Sequence, residues 1–212
     1  MTHPIERITQ KDPNYPAQLK GYLSTDAPET IWAQGNIALL TDREAHLNGN
    51  LWALFCSSRC PGQVILKSHE LAQQFRASGR PTIGGYHSPI EKECLRVLLR
   101  GSQPIILCPA RSIENMRLNP AWKEGLAEGR LLLLSIFDSK HRRSTAGLAN
   151  QRNAFVAALA DKICIAHASE GSKTLQFAHQ ISEWGKPLFT FDTLANRPLF
   201  QCGAQRIEDF CT

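Results

Sequence analysis

Six consecutive residues, Ser169-Glu170-Gly171-Ser172-Lys173-Thr174, gather a glycine, three hydroxyl side chains and a lysine. Small polar side chains let backbone N–H groups come close to a ligand, and the lysine adds positive charge. If a helix begins here, its unpaired first-turn N–H groups make an anion site. The stretch is not a Walker A motif, which needs glycines where this chain has His167 and Ser172. A turn glycine and a capping serine explain the same residues equally well. Two other stretches share the chemistry: Ser57-Ser58-Arg59-Cys60-Pro61-Gly62 and Gly84-Gly85-Tyr86-His87-Ser88. Arg152-Asn153 supplies a further cation and an amide. Lys140-His141-Arg142-Arg143 is the densest basic run and reads as a solvated loop.

Catalytic patterns are sparse. Glu91 and Glu183 fall on predicted helices, where solvation is the ordinary fate of a glutamate. No Ser-His-Asp order can be argued. The seven histidines show no H-E-x-x-H spacing, and the seven cysteines (56, 60, 94, 108, 164, 202, 211) form no C-x-x-C pair. The reading is therefore no metal, no cofactor, reduced thiols and a cytoplasmic chain. The formal charge of +5 suits a phosphate-bearing partner. No apolar run is long enough to span a membrane, and Met1-Thr2-His3-Pro4-Ile5-Glu6 lacks the apolar core of a leader.

Alternating apolar runs and helical stripes would position these turns. Leu51–Cys56, Thr82–Ile83, Pro104–Cys108, Leu131–Ser135, Lys162–Ala166 and Leu188–Phe191 read as strands of one mostly parallel sheet. Helices are expected over Val64–Ala77 (amphipathic, with Ile65, His69, Ala72 and Phe75 on roughly one side), Pro89–Leu99, Ala121–Ala127, Thr145–Ala160 and from Thr174 onward. Leu175, Ala178, Ile181 and Trp184 form the stripe of the last. Strand–helix alternation implies right-handed crossovers and an α/β, Rossmann-like three-layer fold. Residues 1–50 read as an irregular lead-in with a short helix (Ala17–Leu23) and a strand (Ile31–Gly35). Residues 51–192 form the Rossmann-like domain, and 193–212 an extension packing on the sheet through Leu199-Phe200 and Ile207–Phe210. In such folds ligands bind beyond the carboxyl ends of the strands, where all three turns fall.

Over about residues 12–192 the chain resembles the DNA-processing protein A family (DprA, also called Smf), a Rossmann-like group related to LOG-type proteins. Ser57-Ser58-Arg59 stands where that family reads G-S-R, and Gly84-Gly85-Tyr86-His87-Ser88-Pro89-Ile90-Glu91 matches its S-G-x-A-x-G-I-D motif loosely. Arg152-Asn153-Ala154-Phe155-Val156-Ala157-Ala158-Leu159-Ala160 is similar to R-N-R-I-I-A-G-L-S. Gly171-Ser172-Lys173-Thr174-Leu175 is similar to G-S-G-S-L. The departures are Ser57, Pro89 and Lys173 for glycines and Ala154 for an arginine, with no winged-helix domain expected to follow.

The resemblance implies single-stranded DNA binding, hand-off to a RecA-type recombinase during natural transformation, and a homodimer. The residues themselves support a phosphate groove made by Ser57, Ser58, Arg59, Gly84, Gly85, Arg152, Asn153, Gly171, Ser172, Lys173 and Thr174, in which Arg152 clamps a phosphate oxygen. Tyr86 is the one aromatic in an edge turn and so the stacking candidate. LOG-type relatives cleave nucleotide N-glycosidic bonds with the glutamate of P-G-G-x-G-T-x-x-E; Gln176 stands at that place and cannot do carboxylate chemistry. A non-catalytic nucleic-acid binder is therefore the first reading. A small-nucleotide sensor or LOG-like nucleotide N-glycosidase in the same pocket is the second.

Overall fold

The computed structural model describes residues 4–42 and 50–207. The first three residues of the stretch read for a leader, positions 208–210 of the segment expected at the sheet edge, and Cys211 lie outside them. Nine strands form one sheet: β1 (Ile5–Thr9), β2 (Thr30–Gly35), β3 (Trp52–Phe55), β4 (Thr82–Gly84), β5 (Ile105–Leu107), β6 (Leu131–Ser135), β7 (Lys162–Ile165), β8 (Leu188–Thr190) and β9 (Gln205–Arg206). Their order is β1-β2-β6-β5-β4-β3-β7-β8-β9. From β6 to β9 every pairing is parallel, whereas β2 lies antiparallel to β6 and β1 antiparallel to β2. The six expected strands are all present in this α/β sheet.

The apolar runs are continuous because both faces of the sheet are covered. Ala53 and Phe55 pack with Ile163 and Ile165 on one side, while Trp52, Leu54 and Cys164 pack on the other. The register Trp52↔Lys162 to Phe55↔Ile165 brings like-facing residues side by side. Helices α1 (Gln18–Leu23), α6 (Ala146–Leu159) and α7 (Lys173–Glu183) cover the first face. Helices α3 (Gly62–Ala77), α4 (Pro89–Leu98) and α5 (Pro120–Ala127) cover the second. Two short helices, α2 (Ala38–Thr41) and α8 (Arg197–Gln201), complete the set among the described residues. Helix starts follow local chemistry. Ser88, Asn119, Thr145 and Ser172 each accept an N–H from the first turn with the side-chain oxygen, and Pro89 and Pro120 stand at the first helical position. At the far end of α6, the Lys186 ammonium donates to Ala158 O (2.9 Å) and Ala160 O (2.5 Å), a cation on the carbonyls that helix geometry leaves open.

The chain lays β3, β4, β5 and β6 outward in one direction. It then crosses back through α6 to set β7 on the other side of β3. Strand order reverses between β3 and β7, so the crevice above their carboxyl ends is the expected ligand position.

The structure corrects the sequence reading in places. The buried stripe of α3 is Val64, Ser68, Leu71, Ala72 and Phe75; Ile65 and His69 face outward. The helix begins at Gly62, earlier than periodicity suggested, and the choice between two adjacent apolar residues was made by the position of β3 beneath it. β1 and β9 add strands at the two sheet edges that the sequence did not signal; β1 carries only Ile8 as a fully buried side chain, and β9 has two residues.

Gly35 ends β2 at φ +118°, and a Cβ there would lie 2.5 Å from Leu131 O. Gly35→Ala is therefore expected to lose about 2–4 kcal/mol, from strained backbone plus the clash. Gly21→Ala, in α1 with open space around it, is expected to gain about 0.5–1 kcal/mol. Urea denaturation of the two variants checks both signs.

Candidate functional site

The turns after β3 and β7 are built as one unit. Ala166 N–H donates to Phe55 O (2.8 Å) and Ser57 N–H to His167 O (3.1 Å), so the ladder continues past both strand ends. Ser57 Oγ then meets Thr174 Oγ1 at 3.1 Å, tying the first turn to the start of α7. Beyond β7 the chain is held by Asn196, fully buried. Its amide nitrogen donates to Ala166 O and to Thr190 Oγ1, both at 2.9 Å. That leaves its oxygen as the acceptor facing His167 Nδ1 at 2.9 Å, so Nδ1 carries a proton, and Nε2 lies 3.4 Å from Ser169 Oγ.

Gly171 takes the left-handed conformation (φ +69°) that turns the chain into α7. Ser172 Oγ accepts Leu175 N–H at 3.1 Å. The N–H groups of Lys173 and Thr174, in the first helical turn, have no partner within the helix and face the crevice end. Next to them lies a groove of about 320 Å³ lined by Phe55, Cys56, Glu91, Asn150, Asn153, Lys173, Thr174, Gln176, Phe177 and Gln180. One exposed cation, the helix N-terminus and four side-chain amides thus face a common space. Phe177 stands edge-on to Phe55, with ring centroids 5.2 Å apart.

The floor of the groove is a buried carboxylate. Glu91, expected to be solvated, is 8% exposed. Its Oε1 accepts Cys56 N–H (2.9 Å) and its Oε2 accepts His87 N–H (2.8 Å), so one side chain fastens the β3 turn to the β4 turn. Arg152, 4% exposed, lies beneath the surface. Its Nη1 donates to Cys108 O (3.0 Å) and its Nε to Asn153 Oδ1 (2.9 Å). Burial pushes the Arg152 pKa down from its ordinary value, against the opposing charge of Glu91. The guanidinium lies on the Cα of Gly85, where a Cβ would fall 0.9 Å from Nη1. Burial also pushes up the thiol pKa values of Cys56, Cys94 and Cys108, which keeps them protonated.

The sequence-selected residues separate accordingly. Lys173, Thr174 and Asn153 line the groove; Ser57, Gly171 and Ser172 build its rim. Ser58 and Arg59 are exposed on the β3 turn outside the lining. Gly84 is buried in β4, and Gly85 and Arg152 form the support below. Tyr86 is not a stacking platform: it is 3% exposed, with its hydroxyl bonded to Thr82 Oγ1 (3.0 Å) and its ring over Gly84. A turn position with positive φ (+45°) swung it inward. Of the groove's amides only Asn153 is among the sequence-selected residues; Asn150, Gln176, Gln180 and Phe177 are not. Asn150/Asn153 on α6 and Gln176/Gln180 on α7 are spaced three and four apart, the interval that puts polar side chains on one helix face.

The model of the family described as DNA recombination-mediator protein A matches residues 6–211. The fold is similar to that of DNA processing protein A from Helicobacter pylori, described for its single-stranded DNA binding mode (TM-score 0.73, 18% identity, 100% of this chain and 96% of that one). It is also similar to DNA processing protein A from Streptococcus pneumoniae (TM-score 0.72, 18% identity, 96% of this chain and 70% of that one). A molybdenum cofactor binding protein from Rippkaea orientalis aligns at TM-score 0.50 and 14% identity, over 74% of this chain and 86% of that one. At these identities the structural matches establish fold alone. No curated protein sequence matches the chain.

Gly85→Ala forces the Arg152 guanidinium off its seat and is expected to cost about 2–4 kcal/mol of stability. In an Arg152→Ala background the same substitution has nothing to displace, so its cost should fall by at least about 1 kcal/mol. A double-mutant cycle by denaturant unfolding reads this coupling; equal costs in both backgrounds would disprove the contact.

Proposed function

The chain belongs to the DNA recombination-mediator protein A family, and from that premise we propose that it binds single-stranded DNA along the carboxyl edge of its sheet. The role is non-catalytic, in DNA processing, uptake or recombination. The observation that carries the reading is the groove where Lys173, the first-turn N–H groups of α7 and the amides of Asn150, Asn153, Gln176 and Gln180 converge. Charge and backbone N–H groups suit a phosphate, and amides suit base edges or sugar hydroxyls. Phe177 adds an aromatic wall. Ser57, Gly171 and Ser172 hold the turn that presents these groups, Gly84, Gly85 and Arg152 support it from below, and Ser58 and Arg59 offer a further contact at the exposed β3 turn.

A catalytic role is disfavoured by what the carboxylates do. Both oxygens of Glu91 are bonded to backbone N–H groups, and Gln176 occupies the place of the LOG-type glutamate. Glu183 is exposed at the last turn of α7. The second reading, a small nucleotide in the same groove, is favoured by the size of the cavity: about 320 Å³ falls at the lower end of small-ligand sites. A RecA-type recombinase receiving the DNA, and a homodimer, are the partners this role implies. Its place would be the cytoplasm; among the described residues no helix is long and apolar enough to cross a membrane.

Anisotropy titrations with single-stranded oligonucleotides of several lengths and a mononucleotide panel, at two salt concentrations, test the proposal. Affinity should rise with length and fall steeply with salt. Lys173→Ala should weaken binding by roughly tenfold, about 1.4 kcal/mol, and lower the salt slope by about 0.7. Saturable mononucleotide binding without length dependence would replace this reading with the second.

A further inference from the structure

The carboxyl edge carries a second groove that neither the sequence motifs nor the proposed site accounts for. It opens over the ends of β4 and β5, between α4 and α5, with a volume of about 440 Å³. Lys92, Arg96, Arg111 and Arg117 line it together with Trp122, and no carboxylate does. Arg96 is engaged with Glu93 in an exposed pair, which leaves Lys92, Arg111 and Arg117 as its open cationic side chains. The chain contributes these residues from two separated stretches, 92–96 and 111–122, so no basic run of sequence announces them.

The basic loop Lys140-His141-Arg142-Arg143, read from sequence as merely solvated, is fastened to this groove. Ser112 N–H donates to His141 O (2.8 Å), and Ser135 Oγ donates to Arg111 O (2.8 Å). Ser144, next in the chain, lines the groove itself. Asp138, the acidic residue nearby, is occupied within the loop: its Oδ1 accepts Lys140 N–H (3.0 Å) and pairs with His141 Nδ1 (2.9 Å). The loop thus brings its positive charge to a fixed position at the rim.

The two grooves are neighbours along the carboxyl edge. Gly85, which the Arg152 guanidinium packs beneath, lines the second groove, while Glu91, six residues on, lines the first. Neighbouring strands are about 4.8 Å apart, so the strand ends beneath the two grooves (β4/β5 and β3/β7) are separated by roughly 10 Å. From these facts we propose that the second groove continues the path of a bound single strand: phosphates lie against Arg111, Arg117, Lys92 and the 140–143 loop, and a base rests against Trp122. The inference rests on the single-strand reading above and deepens it. The ligand it specifies is an oligonucleotide long enough to occupy both grooves, not a free nucleotide in one.

The test uses oligothymidylates of about 4 and about 15 nucleotides, within the range of single-strand site sizes. Wild type is compared with Arg111→Ala/Arg117→Ala, Lys173→Ala and Trp122→Phe, each shown to be folded by circular dichroism. The double variant should bind the short oligomer within twofold of wild type and the long one at least tenfold more weakly. Its salt slope for the long oligomer should fall by about 1.4, two phosphates at roughly 0.7 each. The long oligomer should quench tryptophan fluorescence in wild type and do so much less in Trp122→Phe. Wild-type affinity and slope for the long oligomer in the folded double variant would overturn the second groove and leave the first intact. Wild-type binding of both lengths by Lys173→Ala, with the loss in the double variant retained, would support the second groove and sink the first. No binding of either length by wild type would overturn both.

Discussion

The carboxyl edge of this sheet depends on two buried side chains of opposite charge, each bonded to backbone groups rather than to the other. Glu91 fastens the turn after β3 to the turn after β4, and Arg152 fastens α6 to the end of β5 while packing against Gly85. Removing two charges from water is costly, and an apolar pair of equal volume often does as well for stability alone. Here an apolar pair would strand the Cys56 and His87 N–H groups and the Cys108 carbonyl, each at a strand end where the ladder has stopped. The charges satisfy backbone groups that regular structure leaves open, and in doing so they set the relative heights of three turns.

That arrangement explains how the sequence divides into legible and illegible parts. Strands β3 to β8 were legible because a strand buried on both faces must be apolar throughout, as in L-W-A-L-F-C and L-L-L-L-S. Helix starts were legible because Ser88, Thr145 and Ser172 cap locally. The inward face of α3 was not, since Val64 and Ile65 are equally apolar and only packing on β3 distinguishes them. Glu91 was misread for a related reason. A glutamate on a helix is ordinarily solvated, and only the meeting of two distant turns turns it into a buried acceptor.

The site was legible in its chemistry more than in its membership. The Gly171–Thr174 turn could be located from spacing alone, because glycine, cap and lysine are local features. Arg152 was selected for its charge, but a guanidinium 4% exposed acts on the protein's own carbonyl before it acts on any ligand. Arg111, Arg117 and Lys92 escaped selection because loop connections, not motifs, bring them together.

The two grooves differ in composition, and the difference has a physical logic. The first is rich in amides with a single lysine, so its contacts are mostly directional. The second is cationic and lacks carboxylates, so its attraction is long-ranged, tolerant of geometry and strongly screened by salt. On the proposed path a ligand drawn by the second would be oriented by the first. Because Gly85 and Glu91 belong to one braced segment, the grooves are held in fixed relation, and a strand on the proposed path would lie across a surface set by the fold. The ordering cost that a mobile pair of sites would impose is largely met when the protein folds.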